Sequence, residues 1–243
     1  MATMTLSPAD QALNALVSAP PPDTINDVIA RMQAIDAALP NDDGLKWFNR
    51  LYLLVTQQVD LNPPGGAWQD PAWLLGLDVV FARYYLGAIR GYLAGTGIPS
   101  SWAALFEARF RTGIDRIQFA VAGMNAHINR DLALALVDTS AALGVTPAPD
   151  GLQHADYQAV NALLATVMPA ALNMLATDTL GVLAEDTGKI GRVLAFWDIQ
   201  RARDLAWDFS NHLHDLNGLV RQAAVDAQDA MTGALGRAIL TVM

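Results

Sequence analysis

Apolar residues recur at three- and four-residue spacing along nearly the whole chain, the period of one buried face of an α-helix. No alternating run of β-branched residues is bounded by Asn-Gly or Asp-Gly, so strands are not expected. Breaks rich in proline or glycine fall at 19–22, 62–66, 95–99 and 146–151 and punctuate the pattern. Between them the spacing predicts helices near 8–17, 24–38, 43–59, 71–94, 101–112, 114–143, 153–176, 186–214 and 217–241. Their starts are marked. Ser7 precedes Pro8 and Asp70 precedes Pro71, a cap followed by proline at the first helical position. Asp42 and Asp43 place negative charge before the third segment, and Ser100 or Ser101 can cap the fifth. The expected fold is all-α. It is one compact domain over residues 1–243, with about eight or nine helices around a buried central one and at most a weak subdivision near 145–152.

The central helix is the stretch 114–142, apolar around most of its circumference. Into it are set Gln118, Asn125, His127, Asn129, Asp131 and Asp138. At 100° per residue, His127, Asp131 and Asp138 fall on one stripe, and Gln118, Asn125 and Asn129 on another roughly opposite. Burying such groups unpaired costs a few kcal/mol each, so each needs a partner. Two readings stay open. Either the amides pin neighbouring helices while His127 donates to a carbonyl, or the cluster is a site.

A second histidine–carboxylate pair lies in 192–214, where Asp198, Arg201, Leu205, Asp208 and His212 form one row and Gln200, Arg203, Trp207, Asn211 and His214 another. If this helix faces the central one, His127, Asp131, Asp208 and His212 make a four-ligand set of a kind one divalent metal ion accepts. The alternative is a row of ordinary ion pairs, with histidines favoured by the dipole near a helix end. Trp197 and Arg201 join the substrate-binding candidates. So do His154, Tyr157 and Asn161, which open the helix after 146–151, where Asp156 is a further catalytic candidate or simply suits a helix start. Asp78, Arg83 and Tyr85 stand in an apolar, aromatic helix, as pocket lining or as a core pair.

Composition narrows the partners. Hydrophobic residues make up 53% and charged ones 16% of 243, the net charge is −9, and of 15 basic residues only Lys46 and Lys189 are lysines. No basic stripe is present, which argues against nucleic acid and anionic membrane surfaces. No cysteine is present, so disulfides, thiolate metal sites and cysteine nucleophiles are excluded. The most membrane-like stretch, 162–184, carries Pro169, Asn173, Thr177 and Asp178, and reads as a buried helix rather than a span. No leader is visible, so a cytoplasmic location is expected, with homo-oligomerisation open. Phosphate-binding loops, dinucleotide fingerprints, His-Glu-x-x-His and nucleophile elbows are all absent.

The segments DDGLKWFNRLYLLVTQQV (42–59), LDVVFARYYLGAI (77–89), FAVAGMNAHINRDLALAL (119–136) and HADYQAVNALL (154–164) resemble, in order, the motifs of a bacterial family of unknown function with an Asn-Ala-His-Ile-Asn-x-Asp-Leu core. That resemblance supports a site at Asn125–Asp131 and implies no particular chemistry. His127, Asp131 and Leu132 are also similar to the His-x-x-x-Asp-Leu ligand element of zinc-dependent phospholipase C proteins. Here Ala135-Leu136-Val137 stands in place of the following Pro-x-His, and no His-x-x-x-Glu exists. A site smaller than a trinuclear zinc centre is what that similarity implies.

The expected function is an enzyme acting on a small, partly apolar molecule. His127, Asp131 and Asp156 would be catalytic, by metal-assisted hydrolysis or by metal-free acid–base chemistry in a cyclisation or isomerisation. Asn125, Asn129, Asp78, Arg83, Tyr85, His154, Tyr157, Asn161, Trp197 and Arg201 would hold substrate. The rival classes are a binding or carrier protein for an apolar small molecule, and a structural module whose polar cluster only pins helices.

Overall fold

Helices begin where side chains can hold otherwise unpaired backbone N–H groups. Ser7 accepts from the Asp10 N–H and opens α1 (Pro8–Ser18). Thr24 and Asp27 cap each other's backbone at α2 (Ile25–Ala38). Asp43 accepts from the Leu45 N–H at α3 (Gly44–Leu61), and Asp70, followed by Pro71, opens α4 (Pro71–Ala94). There follow α5 (Ser100–Ala108), α6 (Arg116–Ala126), α7 (Ala133–Leu143), α8 (Leu152–Ala176), α9 (Ile199–Asp215) and α10 (Gly218–Ile239). The computed structural model describes residues 6–176 and 198–241, and among these the chain is all-α with no strand. The part of the predicted 186–214 helix that precedes residue 198 lies outside the described residues.

Two local expectations are corrected. The N-terminus of α5 is not capped by its own serines. Asp229 of α10 accepts from the backbone N–H groups of Ser100 (2.6 Å) and Ser101 (3.1 Å) and from the Ser101 hydroxyl. A carboxylate 128 residues away in sequence thus does the work of a local cap. Helix α5 also ends at Ala108 rather than 112. Arg109 leaves the helix, and its carbonyl accepts from the Gly44 N–H.

Helix α6 is the centre of the molecule. It packs against α3, α5, α8 and α10, and every residue from Ile117 to Ala126 is buried. The approach to α3 is close because glycines meet rings reciprocally. A Cβ at Gly123 would stand 2.3 Å from the Phe48 ring, and one at Gly44 would stand 2.3 Å from Phe119. Neither position admits a side chain without separating the helices. By length and composition alone two helices could cross a bilayer, Pro71–Ala94 and Leu152–Leu175, with 56% and 28% of their most apolar windows buried inside the fold. The first is largely core.

Candidate functional site

Helices α6 and α7 form one rod, joined by a π-helical turn over His127–Leu132. A π turn fits one more residue into the turn than an α-helix and is found disproportionately at functional sites. It also breaks the 100° register beyond residue 127. Asp138, expected beside His127 and Asp131, is exposed and accepts from the Tyr84 hydroxyl at 2.6 Å. The π turn packs against α4, α9 and α10, and within it His127 is only 2% exposed.

The hydrogen bonds around Asp131 fix the tautomer of His127. The carboxylate accepts from Trp102 Nε1 (2.8 Å) and Arg130 Nη1 (2.6 Å), and lies 3.1 Å from His127 Nδ1. Indole and guanidinium N–H groups only donate, so Asp131 is acceptor to all three and Nδ1 carries the imidazole proton. Nε2 is left with a bare lone pair. It is buried and has no hydrogen-bond partner. Burial pushes the His127 pKa below its usual value, against the opposing pull of Asp131. The ring is therefore neutral at pH 7. Phe81 stacks parallel to it with centroids 3.4 Å apart, and Tyr52 meets it edge-on at 4.6 Å. Arg130 also pairs with Asp229 at 3.1 Å, which ties the site to α10 and the start of α5.

His127 lines a cavity of about 70 Å³ walled mainly by apolar side chains from α3, α4, the α6–π rod, α8 and α9. Tyr52 and Asp78 line the same cavity, and the Tyr52 hydroxyl and Asp78 Oδ2 are likewise buried without a partner. Orphaned buried polar atoms are rare and costly. Here three converge on one small space. Burial raises the Asp78 pKa to about 7, with Arg203 pulling it down and Asp60 pushing it up. Burial raises Tyr52 well above its ordinary value, helped by the charges of Asp78 and Asp131, so it remains a phenol and a hydrogen-bond donor. Arg203, which lines the cavity too, is 7% exposed.

The cavity gives a lone-pair base, a titratable carboxyl and a phenolic donor, a set suited to moving protons. A family model matches residues 25–242, described as a family of unknown function (DUF5995). The chain belongs to this family. No curated protein and no solved structure matches it, and neither comparison shows the phospholipase C similarity read from His127, Asp131 and Leu132. Each of the four segments quoted above contributes to the cavity wall: Tyr52 and Thr56 from the first, Asp78 and Phe81 from the second, His127 and Ile128 from the third, Tyr157 and Val160 from the fourth.

Of the candidates read from the sequence of this family member, His127, Asp78 and Tyr157 line the cavity and Asp131 orients the base. Tyr85, fully buried, donates to Asn49 Oδ1 and belongs to the aromatic shell around His127. Asn161 lies one step back, accepting from Arg203 Nε at 2.8 Å. The rest go elsewhere. Asn125 donates to the Thr232 carbonyl and accepts from Asn129, whose own carbonyl accepts from Gln228. The amide stripe therefore faces α10 and pins helices. Asp156 accepts from the backbone N–H groups of Gln69 (2.9 Å) and Asp70 (2.7 Å), holding the loop that leads into α4, and does not line the cavity. Arg83 binds the Pro22 carbonyl and Asp23. His154 bonds the Pro149 carbonyl and packs on Trp207. Trp197 lies outside the described residues.

The four-ligand metal set does not assemble. Asp208 and His212 sit with Asp198, Arg201 and Leu205 on the exposed face of α9, while Asp131 spends both oxygens on nitrogen donors. Among the described residues no three His, Asp or Glu side chains are placed to hold a metal ion. Residues missed by the sequence reading are Tyr52, Trp102, Arg130 and Arg203. Within the neighbouring row of α9, Arg203 and Trp207 are buried, while Gln200 and His214 are exposed. Nothing in the spacing separates a buried arginine from a solvated one on such a helix.

Proposed function

We propose that this chain is an enzyme that moves protons on a small, partly apolar molecule held in the buried cavity. The observation that carries the reading is the convergence of His127 Nε2, Tyr52 OH and Asp78 Oδ2, each buried and unpartnered, on one cavity. His127 Nε2 takes a proton from the substrate, and Asp131 stabilises the imidazolium that forms. Asp78 returns a proton to a second substrate atom, and the Tyr52 hydroxyl donates to the oxygen on which charge develops. The net change is a displaced proton and bond, as in an isomerisation or elimination.

The required states are neutral His127 and protonated Asp78. The rate should hold near pH 6.5 and fall as Asp78 ionises above about 7. That alkaline limb disappears in Asp78→Asn, whatever rate remains. A panel of short carbonyl compounds and oxo acids incubated in D₂O, read by NMR for replacement of C–H by C–D, tests the proposal. His127→Gln and Asp78→Asn should each lose roughly a hundredfold or more while melting within a few degrees of the parent or above it. Unchanged exchange in both variants sinks the reading. The apolar walls also suit a carrier of an apolar molecule, which predicts binding to the parent chain with no exchange at any pH.

A further inference from the structure

Among the described residues, Arg203 is the buried arginine with no carboxylate in ion-pair contact. Its Nε donates to Asn161 Oδ1 at 2.8 Å and its Nη2 to the Tyr157 carbonyl at 2.6 Å, and the guanidinium lies 4.1 Å over the Tyr157 ring. All three partners are neutral. Among the described residues no carboxylate oxygen lies within ion-pair distance of it, whereas Arg109 holds Asp43 and Asp10, and Arg130 holds Asp131 and Asp229. A guanidinium has five N–H donors. The two bonds formed here use Nε and Nη2, and among the described residues no oxygen accepts from Nη1.

We propose that Arg203 binds the carboxylate of a monocarboxylic acid, and that this acid is the substrate class of the cavity. The proposal rests on the reading of the cavity as a substrate pocket. A buried cation is tolerated when it is paired and hydrogen-bonded, and a carboxylate supplies both in bidentate form. One negative charge is the match. Arg203 is the one guanidinium or ammonium among the described residues that line the cavity, and a second negative charge would go unpaired. The cavity shares Leu51, Met124, Leu164 and Ile199 with an adjoining groove of about 310 Å³ whose further walls include Ile117, Val121 and Met168. An acid with a short unbranched apolar tail fits the two spaces together.

Titration of the full chain with hexanoate, 1-hexanol and hexylammonium, followed calorimetrically or by NMR, tests this directly. Hexanoate should bind roughly thirtyfold tighter than 1-hexanol, and hexylammonium should not bind. Arg203→Met should bring hexanoate down to the affinity of 1-hexanol, and Arg203→Lys should recover part of the difference. Equal affinity for hexanoate and 1-hexanol, or no hexanoate binding at all, overturns the proposal on the unaltered chain even if the variants fail to fold. So does undiminished hexanoate binding by Arg203→Met. These outcomes are read by binding at Arg203, so they stay separate from deuterium exchange in His127→Gln, which judges the proton-transfer reading.

Discussion

Arg109 and His127 both lie in the interior, yet the polar groups around them are arranged in opposite ways. The Arg109 guanidinium meets Asp43 through Nε and Nη2 (2.6–2.9 Å) and Asp10 through Nη1 (2.8 Å). Asp43 also accepts from the Leu45 N–H. None of its buried polar atoms is left without a partner, and its bonds join α1, α3 and the end of α5. Around His127 the bonding is complete on one side only. Asp131 is saturated, and the opposite edge of the ring, with Tyr52 and Asp78, opens on an apolar hollow. A fold has no structural use for three unsatisfied atoms at one spot, because each raises the free energy of the native state. The first cluster is how this chain holds itself together. The second is a place where stability has been given up, as functional sites often require.

That contrast predicts substitutions of opposite sign. Arg109→Met leaves Asp43 buried without its counter-ion, and should cost about 3–5 kcal/mol, lowering Tm by roughly 10 °C. The double variant Arg109→Met with Asp43→Leu should regain much of this. At the cavity, removing a charge should help. Asp78 keeps its proton in the fold up to about pH 7, against an ordinary 3.8, whereas the unfolded chain has already released it. The fold therefore loses stability as pH rises from about 4 to about 7. Asp78→Asn should be neutral at pH 4 and more stable than the parent by about 2–4 kcal/mol at pH 8, seen in parallel urea melts. A loss of stability at pH 8 would show that Asp78 is satisfied and break the contrast.

The smallest effect sharpens the boundary of the site. Asn125→Ala removes the bond to the Thr232 carbonyl and should cost about 1–2 kcal/mol without altering hexanoate affinity. A change in affinity there would extend the site to the amide stripe.

The helices were legible because each carries its own signals: caps at Ser7, Asp43 and Asp70, breaks at proline and glycine, and apolar spacing between. The importance of the rod 116–143 was legible too, since polar residues in an apolar helix must be paid for by partners. Which polar residue faced which partner was not legible. The amides at 125 and 129 and the imidazole at 127 look alike as exceptions in an apolar run, and only the packing of α10 on one side and a hollow on the other separates them. The π turn is invisible to a fixed 100° period, which is why Asp138 was placed with His127. Asp156 shows the same ambiguity from the other direction: a carboxylate near a helix start binds backbone N–H groups, but those of Gln69 and Asp70, just ahead of α4. Tyr52 and Arg203 had no sequence signal, because their roles arise from contacts among α3, α8 and α9 that no local pattern encodes.

The chemistry of the cavity depends on the lone pair of His127 Nε2, and ¹⁵N NMR of the imidazole in the unaltered chain reads it without any substrate. The expected result is the Nδ1–H tautomer at pH 7, an Nε2 resonance typical of a bare aromatic nitrogen, and a protonation midpoint below the ordinary 6.5. An imidazolium at pH 7, or a proton on Nε2, would contradict it.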